Sequence, residues 1–339
     1  DALPICADIY ALGVMLYEML TGLPPFLADN YTALAHSHIY EPAPPPSRFN
    51  PRISPAVQSV VMKALEKSPA DRFQTHHPGR VFMAIRTVVW GENVHVRENE
   101  TVKAIYFKGM HGAIADALAT DPAISVSTAT LDQPEHGLTV DRLKNTDVLT
   151  WWGHRAHGDV SDTVVDRVAE RVWEGMGLIV LHSGHFSKIF KKLMGTPCAL
   201  QWREAGEKER VWVVNHNHPI AQGVGQSFVV PETEMYGEPF SIPEPMVTVF
   251  ISWYDGGNVF RSGVTFQRGG GRIFYFSPGH EVYPIYHDKN VQTVLRNAVK
   301  WAHNPARFPS AEWEGRNVKA HEPITVKGPT LTPSGHGGR

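Results

Sequence analysis

Four consecutive apolar residues, Leu178 to Leu181, form the clearest structural signal in the chain. They are bounded by Gly177 and by a polar turn at residues 182–185 (His-Ser-Gly-His), which leads into a helical pattern. An apolar run of this length between turn signals is typical of a central parallel strand that is covered on both faces. Because ligands bind beyond the carboxyl ends of such strands in open α/β sheets, the turn that begins at His182 is predicted to carry chemistry.

Strand patterns alternate with amphipathic helical patterns from Met83 to about Asn304. The best helical pattern covers residues 159–176, where apolar residues recur every fourth position and two aspartates lie in the first turn. Strands are predicted at residues 85–90, 124–130, 147–152, 178–181, 211–214, 247–253, 259–266 and 272–277, and further helices at residues 109–119 and 291–301. This alternation predicts an α/β domain over residues 83–305 with a doubly wound, mostly parallel sheet.

Residues 1–75 follow a different pattern. The stretch from Asp8 to Gly22 is predicted to be a helix that is apolar on nearly every side, and the short segment around it does not supply the cover that such a helix requires. A proline-rich connector and a helix over residues 54–66 complete an all-α segment, in which we expect an exposed apolar patch. Residues 76–82 are predicted to be a linker, and the Pro-, Gly- and Thr-rich residues 306–339 a flexible tail.

Composition and charge exclude several classes of partner. The 339 residues are 42% apolar and 19% charged, with a net charge of −2, which disfavours broad binding to nucleic acid or to anionic membranes. The two cysteines, Cys6 and Cys198, fit no metal or redox spacing, and no signal peptide or membrane-spanning run is evident. We therefore expect a cytoplasmic protein with no nucleotide cofactor.

Histidine is the compositional anomaly, with eighteen residues. The loops after four predicted strands carry histidines, and a doubly wound sheet brings such loops to one edge. The residues concerned are His95, His154, His157, His182, His185 and His280, and Glu234 and Tyr236 lie in a polar segment between prolines. Imidazoles with a carboxylate suit a zinc-like ion that has three protein ligands and one open position. They equally suit a metal-free acid/base pair, so both alternatives stay open.

Other candidates have weaker support. Ser183 is a poor candidate nucleophile, because Leu181 replaces the first glycine of the usual Gly-x-Ser-x-Gly turn and no Ser-His-Asp order is evident. Five tryptophans could stack on sugar rings, but packing in the core is the favoured interpretation for Trp151, Trp152, Trp202, Trp212 and Trp253.

The first 75 residues resemble the end of the C-terminal lobe of a bacterial Ser/Thr protein kinase. Asp8 and Gly13 match the Asp and Gly of that lobe's long buried helix, and Arg72 matches the arginine near its end. The sequence lacks the glycine-rich loop and the His-Arg-Asp, Asp-Phe-Gly and Ala-Pro-Glu motifs, so we predict a truncated and inactive kinase remnant. The start at Asp1, without a methionine, also leads us to expect an incomplete gene or a truncation.

Residues 83–304 resemble the ThuA-like (trehalose-utilisation) family. The match is carried by His154 and by residues 177–182 (Gly-Leu-Ile-Val-Leu-His), 218–220 (His-Pro-Ile), 234–236 (Glu-Met-Tyr), 271–276 (Gly-Arg-Ile-Phe-Tyr-Phe), 279–280 (Gly-His) and 297–301 (Asn-Ala-Val-Lys-Trp). The resemblance implies a class I glutamine-amidotransferase-like (flavodoxin-like) fold. In that fold His182 stands where amidotransferases carry their catalytic cysteine, and His280 falls near their catalytic histidine. Glutamine hydrolysis through a thioester is thereby excluded.

Two functional hypotheses follow from the resemblance. In the first, the protein acts on trehalose-related disaccharides or their keto derivatives. Its catalytic candidates are His182, His280 and Glu234. Its substrate-binding candidates are Tyr236, His95 and Trp152, and the candidate ligands of a zinc ion are His154, His157 and His182.

In the second hypothesis, the domain is a non-catalytic sugar sensor fused to a Ser/Thr kinase. A third alternative is that the kinase segment is an accident of gene assembly. Under either of the first two hypotheses the expected partners are a small-molecule sugar and a second copy of the chain in a homo-oligomer, with no nucleic acid and no membrane.

Overall fold

A computed structural model describes residues 3–68, 71–72 and 84–305, with side chains from residue 9 onward. The chain divides into two compact units, Asp1–Phe82 and Met83–Arg339. The linker predicted at residues 76–82 and the tail predicted at residues 306–339 lie outside the described residues. None of the described helices is long and apolar enough to cross a membrane.

The described part of the first unit is helical. Its α-helices are α1 (Leu3–Thr21), α2 (Tyr31–Tyr40) and α3 (Pro55–Ala64). The Ser54 hydroxyl caps the start of α3, where Pro55 fits the first helical position. The expected apolar exposure is confirmed, since Leu12, Met15 and Met19 on α1 are each more than half exposed.

The second unit alternates strands and helices. Its strands are β1 (Ile85–Gly91), β2 (Ile124–Thr130), β3 (Val148–Trp152), β4 (Gly177–Leu181), β5 (Gln201–Val213), β6 (Ser227–Gly237), β7 (Val247–Tyr254), β8 (Val259–Arg268) and β9 (Gly271–Phe276). Its α-helices are α4 (Val94–Glu98), α5 (Glu100–Ile105), α6 (Gly109–Ala119), α7 (Val140–Lys144), α8 (Asp162–Trp173), α9 (Lys188–Met194) and α10 (Lys289–Ala302).

The nine described strands form one mixed sheet in the order β2-β1-β3-β4-β9-β8-β7-β5-β6. Strands β2, β1, β3, β4 and β9 pair in parallel, whereas the pairs from β9 to β6 are antiparallel. The prediction of a mostly parallel sheet is therefore wrong for half of it. The reason is that, in the described residues, no α-helix lies between β5 and β9 in the chain, and strands joined by short connections pair in an antiparallel manner, whereas parallel pairing needs a crossover.

Helices cover both faces of the parallel half. Side chains of α6 and α10 pack on one face of the sheet, and side chains of α8 and α9 pack on the other. Along β4 the side chains alternate accordingly, so that Ile179 and Leu181 enter the first core and Leu178 and Val180 the second. In the second core the rings of Trp90 and Trp151 stack, with centroids 4.0 Å apart and planes at 22°. Because both faces are covered, the strand ends are the places where polar side chains gather.

Candidate functional site

The turn after β4, which we call the elbow, begins at His182. This residue has a φ of 49°, in the left-handed region that non-glycine residues seldom adopt. The hydroxyl of Tyr275 donates to the His182 carbonyl at 3.1 Å and holds the turn. The ring Nδ1 lies 2.7 Å from the Ser277 carbonyl, which can only accept, so Nδ1 carries the proton and Nε2 is left free for other contacts.

His182, Glu234 and His280 form a buried group that we call the elbow set. Their ligand atoms all lie within 4.8 Å of one another. The Glu234 Oε2 atom is 3.2 Å from His182 Nε2 and 4.0 Å from His280 Nε2, yet it has no hydrogen-bond partner. A buried carboxylate oxygen that faces a lone pair is unfavourable unless a proton or a cation lies between them.

Burial and neighbouring charges set the protonation of the elbow set. Burial opposes ionisation of Glu234, but the neighbouring imidazoles of His182, His280 and His154 keep the pKa of this carboxyl below its usual value. Burial, reinforced by the charge of His182, lowers the pKa of His280 to about 4. At neutral pH the carboxyl is thus ionised and His280 is neutral, which are the states that a metal ligand requires.

Tyr236 borders the elbow set on β6. Its ring stacks on His182 with centroids 4.7 Å apart, and its hydroxyl lies 2.9 Å from Ser183 Oγ and 3.3 Å from His182 Nε2. Burial raises the pKa of Tyr236 well above its usual value, so the phenol keeps its proton. This hydroxyl therefore has a proton to donate, to His182 Nε2 or to Ser183 Oγ.

His95, His154 and Glu281 form a second group, the outer set. The Glu281 Oε1 atom lies 3.0 Å from His95 Nε2 and 3.2 Å from His154 Nδ1, and these two nitrogens are 3.2 Å apart. Burial opposes ionisation of Glu281, but its hydrogen bonds with His154 and His95 keep the pKa of this carboxyl far below its usual value. Burial alone would lower the pKa of His95, but Glu281 and Glu92 raise it to about 9.

Glu92, just past β1, holds the loop that carries His154. Its carboxylate accepts the backbone N–H groups of residues 154, 155 and 156 at 2.7–3.0 Å. Burial opposes ionisation, but these bonds and the contact with His95 lower the pKa of Glu92 to about 2. Its Oε1 atom is 3.5 Å from His95 Nδ1, on the side of the ring away from Glu281.

The two sets adjoin through Glu281 and His280. The second carboxylate oxygen of Glu281, Oε2, is buried without a hydrogen-bond partner and lies 3.8 Å from His280 Nε2. The rings of His154 and His280 are also close, with centroids 5.8 Å apart. The two groups therefore form one continuous polar cluster beyond the carboxyl ends of β1, β3, β4 and β9.

A cavity of about 380 Å³ opens beside this cluster. Its lining residues are His154, His157, Ser183, His185, Phe186, Ala199, Leu200, Trp202, Glu204, Glu234 and Tyr236. Glu234 is common to the cavity and the elbow set, and His154 to the cavity and the outer set. Trp202 is 66% exposed, so it presents an aromatic face to any molecule that enters.

Several predicted site residues come together. His182, His280 and Glu234 form the elbow set, with Tyr236 against it. His154 also lies in the cluster, but its ligand partners are His95 and Glu281.

Other predicted roles do not match the positions in the structure. His157 belongs to neither set; it lines the cavity at the start of a short 3-10 helix, and burial lowers its pKa to about 4. Trp152 is 1% exposed, and its Nε1 donates to the Gly279 carbonyl, so it cannot stack on a sugar. His95 is almost fully buried against Glu281 and does not line the cavity.

The sequence analysis missed Glu92, Glu281 and Glu204. Glu92 follows a predicted strand, and Glu281 follows His280, so the strand-end rule that selected the histidines would have found both. Glu204 lies within β5, 3.6 Å from His280 Nε2, and no pattern in the sequence indicates it.

Comparisons with known proteins address the family and the fold of the second unit. The family model for ThuA, described as trehalose utilisation, matches residues 86–302. A solved ThuA-like protein from Parabacteroides merdae is 14% identical with a TM-score of 0.52, covering 67% of this chain and 94% of that one, which shows a shared fold.

The N-terminal part of the chain is similar to bacterial Ser/Thr protein kinases. PknB of Mycolicibacterium smegmatis is 33% identical over 151 residues, which are 43% of this chain and 22% of PknB. The kinase pkn3 of Myxococcus xanthus is 48% identical over 68 residues, 20% of this chain and 12% of that kinase. The chain thus spans about a fifth or less of the length of these relatives. Because the ThuA model covers more than half of the chain, the protein belongs to the ThuA (trehalose utilisation) family.

Proposed function

We propose that the second unit acts on trehalose-related disaccharides or their keto derivatives, with a zinc-like cation held by His182, Glu234 and His280. The observation that carries the proposal is the unpartnered, buried Glu234 Oε2 atom at 3.2 Å from His182 Nε2, on a residue that also lines the cavity. Two imidazoles and one carboxylate are a ligand set that catalytic zinc uses, with a fourth position left for water or substrate.

The surroundings of His182 support this assignment. Imidazoles that bind metals usually donate their other N–H to a carbonyl or a carboxylate, which fixes the ring and its tautomer. His182 does so through Nδ1 to the Ser277 carbonyl. The backbone at the elbow also supports a class I glutamine-amidotransferase-like fold, in which this turn would carry His182 where the amidotransferases have cysteine.

A cation held by these three residues would lower the pKa of a bound water or sugar hydroxyl. The residues around it have complementary tasks. Tyr236, as a protonated phenol, donates a hydrogen bond to a sugar oxygen, and the partly exposed Glu204 accepts a proton near His280. Trp202 offers an apolar face for a sugar ring. The metal-free alternative uses the same residues, with a proton shared between His182 and Glu234.

The test compares His182→Ala with His216→Ala, in the full chain. His216 is exposed and does not line the cavity, so it controls for the loss of a histidine as such. We expect the parent and His216→Ala to retain bound zinc, measured by elemental mass spectrometry, and to turn over a keto-disaccharide. His182→Ala should lose the turnover and the zinc that the elbow set holds. Undiminished turnover in His182→Ala would refute the proposal, and turnover without metal in the parent would leave acid/base catalysis alone.

A second candidate function is a sugar sensor that regulates a kinase, favoured by the similarity of the N-terminal part to Ser/Thr kinases. It predicts that trehalose binds without being converted, and that the sugar changes phosphorylation by a longer chain that contains a complete kinase domain. Phosphorylation that is insensitive to every sugar tested would exclude it.

A further inference from the structure

We infer that the outer set is a second cation site and that Glu281 bridges it to the elbow set, so that the cluster holds a pair of divalent ions. This inference rests on the proposed function, because it takes the elbow set as the first of the two sites. It adds three residues, His95, His154 and Glu281, and one bridging role.

The spacing of the outer set fits a small divalent cation. Its three ligand atoms are separated by 3.0, 3.2 and 3.2 Å, which is a nearly equilateral triangle. In a tetrahedral site with ligands about 2.0 Å from the ion, neighbouring ligand atoms lie about 3.3 Å apart. A single proton lies on only one edge of this triangle, and protons on both nitrogens bring two N–H donors within 3.2 Å of each other. A cation above the centre contacts all three atoms without that repulsion.

Glu92 completes the arrangement behind His95. Its Oε1 atom is 3.5 Å from His95 Nδ1, and three backbone N–H groups keep its carboxylate fixed. A carboxylate behind a histidine, with the other ring nitrogen directed to a metal, is a recurrent arrangement in metal sites. The competing state is an imidazolium at His95 that pairs with both Glu92 and Glu281 and leaves no place for a cation.

Glu281 is the residue that links the two sites. Its Oε1 atom belongs to the outer triangle, and its Oε2 atom is buried, unpartnered and 3.8 Å from His280 Nε2 of the elbow set. Metal pairs in enzymes are about 3.5–4 Å apart, a separation that one carboxylate can bridge. Three buried carboxylates, on Glu92, Glu234 and Glu281, lie around the two sets.

Both sites reach the cavity, one through Glu234 and the other through His154. A pair of cations there would bind two neighbouring oxygen atoms of a ligand. Such neighbouring oxygens are the vicinal hydroxyls of a sugar, or the carbonyl and adjacent hydroxyl of a keto sugar.

The experiment uses the full chain, freed of metal with a chelator and loaded with Mn²⁺. Bound Mn²⁺ is counted by elemental analysis, and electron paramagnetic resonance shows whether the ions are coupled. We expect two Mn²⁺ per chain with an exchange-coupled spectrum in the parent and in His216→Ala. His154→Ala and His182→Ala should each keep one Mn²⁺ with an uncoupled spectrum, and His95→Gln serves as the second outer variant if His154→Ala fails to fold.

The outcomes separate this inference from the proposed function. One Mn²⁺ in the parent that survives in His154→Ala but not in His182→Ala would refute the second site and leave the elbow site intact. Two ions without coupling would refute the bridge by Glu281. No bound Mn²⁺ in the folded parent would refute both the pair and the metal-assisted form of the proposed function.

Discussion

The elbow set and the outer set contain the same ligand types, two imidazoles and one carboxylate, but they are held differently. Behind His182 lies a backbone carbonyl, whereas behind His95 lies the carboxylate of Glu92. In the elbow set, Glu234 Oε2 and His280 Nε2 are 4.0 Å apart, whereas the ligand atoms of the outer set are no more than 3.2 Å apart. We therefore expect the group behind each imidazole, as well as the ligands themselves, to affect the affinity of each set for a cation.

Glu281→Gln should have the largest effect, because this carboxylate contacts both sets. Loss of its charge is expected to weaken Mn²⁺ binding about 100-fold or more at the outer site, and less at the elbow site. Titration calorimetry of the two variants Glu281→Gln and His216→Ala measures the two affinities. Unchanged binding in Glu281→Gln would show that the two sets are independent.

Glu209 lies outside both sets and should make the free energy of unfolding depend on pH. This dependence is separate from any titration of the histidines. It is buried in β5, where its Oε1 accepts from the hydroxyls of Ser252 and Tyr254, and burial raises its pKa to about 7 despite these bonds. The folded protein therefore holds this proton more tightly than the unfolded chain does. Stability should fall by up to about 1.4 kcal/mol per pH unit as the pH rises from the usual carboxyl pKa to about 7.

Glu209→Gln mimics the protonated carboxyl and should remove this fall. Relative to the parent, the variant is expected to gain on the order of 3 kcal/mol in free energy of unfolding at about pH 8. Urea unfolding of both proteins between about pH 5 and pH 8 is the measurement. Equal pH dependence in the two proteins would place the titrating group elsewhere.

Glu92→Gln should affect the outer set alone. Loss of a carboxylate behind a metal-binding histidine typically weakens the metal about 10- to 100-fold. We expect that loss at the outer site, with the elbow site unchanged, in the same Mn²⁺ titration. Equal weakening of both sites would mean that Glu92 acts through the whole strand edge and not through His95.

Tyr236→Phe should have the smallest effect, confined to the elbow set. It removes a hydroxyl that contacts Ser183 Oγ and His182 Nε2, so a loss of about 1 kcal/mol in unfolding free energy is expected. A double-mutant cycle with Ser183→Ala in urea unfolding isolates the Tyr236–Ser183 contact. Additive losses would show that this hydrogen bond contributes nothing to stability.

The parts of the site that the sequence predicted are those that depend on local pattern. An apolar run followed by a polar turn placed His182 correctly, because a central strand and its turn are determined by neighbouring residues. Glu234 was selected only from its polar context, because the sequence of β6 has no clear apolar alternation and did not predict a strand there.

The parts that it missed depend on tertiary packing. The exposure of Trp202 and the burial of Trp152 follow from which strand is covered on both faces, and composition alone does not show this. The three members of the outer set likewise follow three different strands: His95 follows β1, His154 follows β3 and Glu281 follows β9. The pairing of the two histidines with Glu281 required the order of the strands in the sheet, which the sequence did not supply.

The stacked pair of Trp90 and Trp151 gives the second unit an optical signal of its own. Two indole rings held 4.0 Å apart in a fixed orientation are close enough to couple their electronic transitions, so we expect a contribution to the circular dichroism spectrum that unfolding removes. The signal depends on the packing of β1 against β3, which the substitutions in the two sets leave in place. A variant of either set that keeps this contribution has kept the packing of β1 against β3, so any change in its binding is not due to unfolding.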